Sequence, residues 1–127
     1  MNTRRIAIPV DSDKGLQSTV SGHFGHCKAF AVVTLEDGGE TTRVELIENV
    51  PHSSCAGPVN LLAEHGVDVL LASGMGMRPY VIAQQLGISV LKSEAKTVAE
   101  ALQGYTNGHA KDMRDGGLCQ GGRGAHN

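Results

Sequence analysis

The run VDVLLASGMGMRPYVIAQQLGISVL, residues 67–91, constrains the fold more than any other part of the chain. VDVLLA is almost wholly apolar, as a strand covered on both faces must be. A glycine-rich turn follows, then a segment with Pro79 near its start and Gly87 past its end, then a second apolar run, ISVL. Proline suits the first turn of a helix because that turn leaves amides unpaired anyway, and glycine suits the position after the last turn. Strand, helix and strand in that order imply parallel pairing through a crossover. A chain containing such a unit is an α/β protein with helices laid on the faces of its sheet.

The same reading extends outward. RRIAIPV (4–10) is a first strand and AFAVVTL (29–35) a second, rich in β-branched residues. EDGGE then supplies the Asp-Gly and Gly-Gly pairs that favour a hairpin, and TRVELIENV (42–50) is the third strand. GPVNLLAEHG (57–66) is a helix with Pro58 at its start, Gly66 at its stop, and Val59, Leu62 and Ala63 at helical spacing. TVAEALQG (97–104) opens a last helix, with Thr97 and Glu100 at capping-box spacing. The expected architecture is an α/β mixed sheet of five strands, three antiparallel and then βαβα, with helices on its faces. Residues 1–104 form the domain. Residues 105–127 form a glycine-rich tail, too poor in apolar groups to offset its ordering entropy and therefore expected to be flexible.

Composition narrows the function. The chain has 127 residues and a formal charge of −2, so no broad electrostatic case for nucleic acid exists. No apolar stretch approaches the roughly 18 residues that would span a bilayer, and the apolar run after Arg4 and Arg5 is too short for a secretory leader. A cytoplasmic location is expected. Three widely spaced cysteines do not suggest a disulfide framework.

Four segments carry groups capable of chemistry. SGHFGHCKAF (21–30), between the first two strands, holds His23, His26 and Cys27. Their three- and four-residue separations would put two ligands on one side of a helical turn, and zinc, copper and iron accept imidazole and thiolate. The alternative is a solvated loop with Cys27 as a small core residue. NVPHSSCAGPVN (49–60) holds His52 and Cys55 just before a helix, where the dipole favours a thiolate; equally, a serine caps the helix and Cys55 packs. ASGMGMRP (72–79) is a strand-to-helix turn in which Gly74 and Gly76 let backbone amides approach a ligand, with Arg78 adding positive charge. It lacks the third glycine of a dinucleotide fingerprint and the Lys-Ser/Thr of a phosphate loop. It lies at the carboxyl end of a parallel strand, where open α/β sheets bind ligands, although a lone Gly-x-Gly turn often binds nothing. The tail carries Cys119, Arg123 and His126, which either close over a bound group or do nothing. The first three segments follow strands one, three and four. If those strands end at one rim, soft ligands and an anion-attracting turn converge, a combination suited to a sulfide-rich anionic cluster.

Four passages in order, IAIPVDSD, SGHFGHCKAF, AGPVNLLAEHGVDVLLASGMGMRPYVIAQQLGISV and TVAEALQGYTNG, resemble the dinitrogenase iron–molybdenum cofactor biosynthesis family. This family includes the NifX-like and NafY-core proteins, the carboxyl-terminal domain of NifB, and stand-alone relatives of the orange-protein type. The resemblance implies a ribonuclease H-like fold. It implies a non-enzymatic carrier or scaffold for an iron–sulfur, iron–molybdenum–sulfur or molybdenum–copper sulfide cluster, exchanged with cofactor-assembly proteins. The family's Ser-x-x-Phe-Gly pattern falls on Ser21, Phe24 and Gly25. With Gly74, Met75, Gly76, Met77 and Arg78 these are the expected cofactor contacts. His23, His26, Cys27, His52 and Cys55 are the expected metal contacts. A mononuclear zinc or copper protein with a regulatory or storage role is the alternative. A nuclease is disfavoured, because strand four ends in LLASG without the carboxylate that paired metals require.

Overall fold

The computed structural model describes residues 3–22, 27–36, 41–48, 57–108, 111–112 and 118–119. Strands β1 (Arg4–Val10), β2 (Ala29–Leu35) and β3 (Thr41–Glu48) form an antiparallel meander. Helix α1 (Gly57–Glu64) leads to β4 (Val69–Ala72), the two-residue strand β5 (Met75–Gly76) and helix α2 (Met77–Gln85). Strand β6 (Ser89–Lys92), helix α3 (Val98–Thr106) and two short strands, β7 (Lys111–Asp112) and β8 (Leu118–Cys119), complete the chain. The sheet runs β3-β2-β1-β4-β6-β7, with β4 parallel to both β1 and β6. This is the expected α/β mixed sheet of the ribonuclease H-like type. No helix among the described residues is long and apolar enough to cross a membrane.

Period-two alternation builds the two faces of the core. Ile6, Ile8, Val10, Ala29, Ala31, Val33, Val69 and Leu71 point to one face, covered by Val98, Ala101 and Leu102 of α3. Ala7, Phe30, Val32, Leu70 and Ala72 point to the other, covered by Val59 and Leu62 of α1 and Tyr80 and Ala83 of α2. A central strand buried on both sides has no polar alternation left, which is why IAIPV and VLLA read as continuous apolar runs.

The helix ends follow the predicted chemistry. At the end of α2, Ile88 N donates to Ala83 O at 2.9 Å and Gly87 N donates to Gln84 O at 3.2 Å, with Gly87 at φ 81°. This is a Schellman stop, and α1 ends the same way at Gly66. Thr97 caps α3 by accepting from Glu100 N at 3.3 Å, while the Glu100 carboxylate accepts from Lys96 N at 3.1 Å.

The structure adds two details to these expectations. The sheet of five strands gains a sixth, β7, and a separate pair, β5 with β8. Two-residue ladders are too short to leave a periodic signature, and β7 and β8 fall in the polar stretch read as tail. The last helix also runs past the expected boundary at 104 to Thr106. Glycine inside a helix costs about 1 kcal/mol relative to alanine, but residues beyond Gly104 anchor the turn. Tyr105 packs against the α3-side core, and its hydroxyl accepts a 2.6 Å bond from Arg4 Nη1.

Candidate functional site

The registers put the ends of the strands at a common rim. Val10 lies opposite Ala29, Ala29 opposite Glu48, and Ala72 opposite Lys92. Because β1, β3, β4 and β6 all run the same way, their carboxyl ends share this edge. The connection after β1 turns toward β2 and the connection after β4 turns toward β6, so the gap between β1 and β4 is the switch point of the sheet.

Pro9 helps to open that gap. The β1–β4 ladder comprises Ile6 with Val69 and Ala7 with Leu70. Pro9 has no amide with which to continue it. In place of β4, Ser21 reaches in, its amide donating to Pro9 O at 2.8 Å. Ser21 is buried, and a Cβ on neighbouring Gly22 would lie 4.0 Å from Ser73 Oγ. The loops following β1 and β4 therefore meet at the switch point. Lys28 N donates to Val10 O at 3.1 Å and anchors the far end of the first loop to the same rim.

The turn after β4 supplies an anion-attracting end. Gly76 is the N-cap of α2, with φ −71° and ψ 162°. No side chain caps the helix there, and its first turn holds no acid. The amides at the head of α2 thus keep their positive end of the helix dipole. Arg78 is exposed beside them, and Lys28 is exposed on the neighbouring loop. The backbone of Gly76 is ordinary for any residue, and an added Cβ would meet nothing closer than Pro79 Cδ at 3.6 Å. The fold does not require glycine here, since a methyl would rest in ordinary contact with the Pro79 ring.

The predicted residues sort into three groups. Ser21 lies in the loop after β1, and Gly74, Met75, Gly76, Met77 and Arg78 run from the turn after β4 through β5 into the head of α2, on the same rim. Within them Met75 is buried in the core while Met77 and Arg78 are exposed. Cys27 is buried at 5% exposure in the same core cluster as Met75 and Phe30, a position that serves packing. His23, Phe24, Gly25, His26, His52 and Cys55 lie outside the described residues, as do Arg123 and His126 of the tail. Gly22 and Cys27, which flank residues 23–26 in the sequence, are at the rim. Among the described residues no group of three or more His, Cys, Asp or Glu is placed to hold a metal ion. Asp68 sits at the opposite end of the sheet, its carboxylate accepting from Arg5 N at 3.0 Å.

Two features escaped sequence reasoning. Ser73 faces Gly22 across the gap, and although it falls within ASGMGMRP nothing in that motif gives it a role. Strand β8 pairs in parallel with β5, Leu118 opposite Met75 and Cys119 opposite Gly76, so the tail returns to the glycine-rich turn.

Comparison with known proteins agrees with this architecture. A family model described as dinitrogenase iron–molybdenum cofactor matches residues 4–108. An uncharacterised protein of Methanocaldococcus jannaschii is 31% identical over 108 residues, covering 82% of this chain and 86% of that protein. A NifB-like protein of Thermotoga superposes with a TM-score of 0.77 at 28% identity, covering 94% of this chain and 99% of its own. The apo orange protein of Desulfovibrio gigas shares the fold, with a TM-score of 0.73 at 23% identity over 86% of this chain and 92% of its own. The match runs from the first residue of β1 to the glycine that follows α3, and so the chain belongs to the dinitrogenase iron–molybdenum cofactor family.

Proposed function

We propose that the rim between β1 and β4 binds an anionic metal–sulfur cluster, and that the chain is a non-enzymatic carrier or scaffold for it. The observation that carries this reading is the approach of the Ser21–Gly22 loop to the turn after β4 at the switch point, a turn that leads into the uncapped head of α2. Helix amides, Gly76 and Arg78 favour an anion there. The first loop brings soft donors, since His23 and His26 lie between two residues already at the rim. His52 and Cys55 belong to the segment between β3, which ends at this rim, and α1. Three cysteines in the chain cannot supply the four thiolates of an ordinary iron–sulfur cluster, so imidazole and electrostatic contacts make up the difference. Iron–sulfur, iron–molybdenum–sulfur and molybdenum–copper sulfide cargoes share this chemistry. Cofactor-assembly proteins would supply and receive the cargo, in keeping with the family and with a cytoplasmic setting.

The test is anaerobic loading. Purified protein is incubated with tetrathiomolybdate and copper(I), or with iron and sulfide, then desalted and assayed for metal and visible absorption. Stoichiometric colour that survives desalting and falls in a His26→Ala/Cys27→Ala variant is the expected result. Failure of the wild type to retain any cluster contradicts the proposal. Tight uptake of zinc without sulfide, in place of cluster, would return the site to a mononuclear metal.

A further inference from the structure

The segment beyond α3 lies outside the 4–108 family match, yet it returns to the rim. Lys111 and Asp112 extend the sheet past β6. Leu118 and Cys119 then pair with Met75 and Gly76, the two residues that join the turn after β4 to the head of α2. Among the described residues β5 has no other strand partner, and β8 also lies against α2. The turn assigned to cargo thus carries an added strand along it.

We propose that β8 is a strap that gates the rim, and that cargo enters and leaves when Leu118–Cys119 detaches from Met75–Gly76. The inference rests on the reading of the rim as a cargo site. Its physical basis is the weakness and independence of the pairing. A two-stranded ladder is at best marginal on its own, and a parallel one is slightly weaker per residue than an antiparallel one. Release of β8 leaves the six-stranded sheet and both core faces intact, so opening is a local event and not unfolding. Glycines flank the strap at 116, 117, 121 and 122. Their backbone freedom raises the entropy of the detached state. An open state populated in the free protein is therefore expected, and cargo would select it.

The experiment compares three full-length proteins: wild type, Leu118→Pro/Cys119→Pro, which removes both strap amides, and Cys119→Ser, which keeps them. Amide hydrogen exchange is read over residues 74–77 without cargo, and uptake of tetrathiomolybdate is followed by stopped flow. The wild-type uptake rate should level off as the probe concentration rises, at the rate of strap opening. The double-proline variant should lose protection at 74–77 by about tenfold or more, with β1 and β4 unchanged. Its uptake should remain proportional to concentration. Cys119→Ser should behave as wild type. Unchanged exchange in the double-proline variant overturns the strap. Changed exchange with identical uptake kinetics overturns the gate, and a Cys119→Ser variant that loads like the double-proline protein assigns the effect to the thiol instead. If no protein takes up the probe, the cargo reading fails and the gate with it, while the exchange data still report whether β8 seats on β5.

Discussion

Gly76 and Gly87 show how one residue type serves two purposes. Gly87 has φ 81° and open space around its Cβ position, so alanine there meets only backbone strain. Gly87→Ala should lower stability by about 1–2 kcal/mol, read as a lower denaturant midpoint at constant slope. Gly76 has φ −71° and room for a Cβ. Gly76→Ala should change stability by less than about 0.5 kcal/mol, yet cut cluster retention by tenfold or more, because the methyl would stand between the helix amides and the cargo. Equal retention in that variant would show that the cradle is not where the cargo sits. Arg78 makes a third case. It is exposed, so Arg78→Ala should leave stability alone while weakening retention and flattening its dependence on salt.

The elements were legible where local chemistry and tertiary context agree. Strands buried on both faces announced themselves as apolar runs, and helix stops at Gly66 and Gly87 fell where glycine alone adopts the left-handed turn without cost. The cap at Thr97 was equally plain, and Thr97→Ala should cost about 1 kcal/mol in an equilibrium unfolding experiment. Leu62, fully buried between α1 and the sheet, should cost about 2–5 kcal/mol when cut to alanine. What stayed hidden was pairing without periodicity. Nothing in KD or LC predicts a ladder, because two residues carry no alternation and the bonds are made by backbone. The Gly104 boundary misled for a related reason. A local helix breaker was outweighed by a distant partner, since Tyr105 finds Arg4 at the far end of the sequence. At the site, the glycine-rich turn was visible as a motif. Its approach to the Ser21–Gly22 loop was not, because that depends on Pro9 ending one ladder and on the Ser21 amide bonding back to the Pro9 carbonyl of β1.

At the level of the whole molecule, topology concentrates the chemistry. An antiparallel meander joined to a parallel βαβ unit must have a point where successive connections diverge, and here it lies between β1 and β4. The two ends of the sheet are then chemically distinct. One holds the Arg5–Glu45 ion pair at 3.0 Å and the Asp68 carboxylate, closed by their mutual bonds. The other holds the uncapped head of α2 and the exposed Lys28 and Arg78. The most direct test of the account is a backbone-amide NMR titration of the anaerobic protein with tetrathiomolybdate. Shifts concentrated at residues 21–28 and 73–80 are predicted. Shifts centred on Arg5, His65 and Asp68 at the opposite end, or none under conditions where colour is retained, would contradict it.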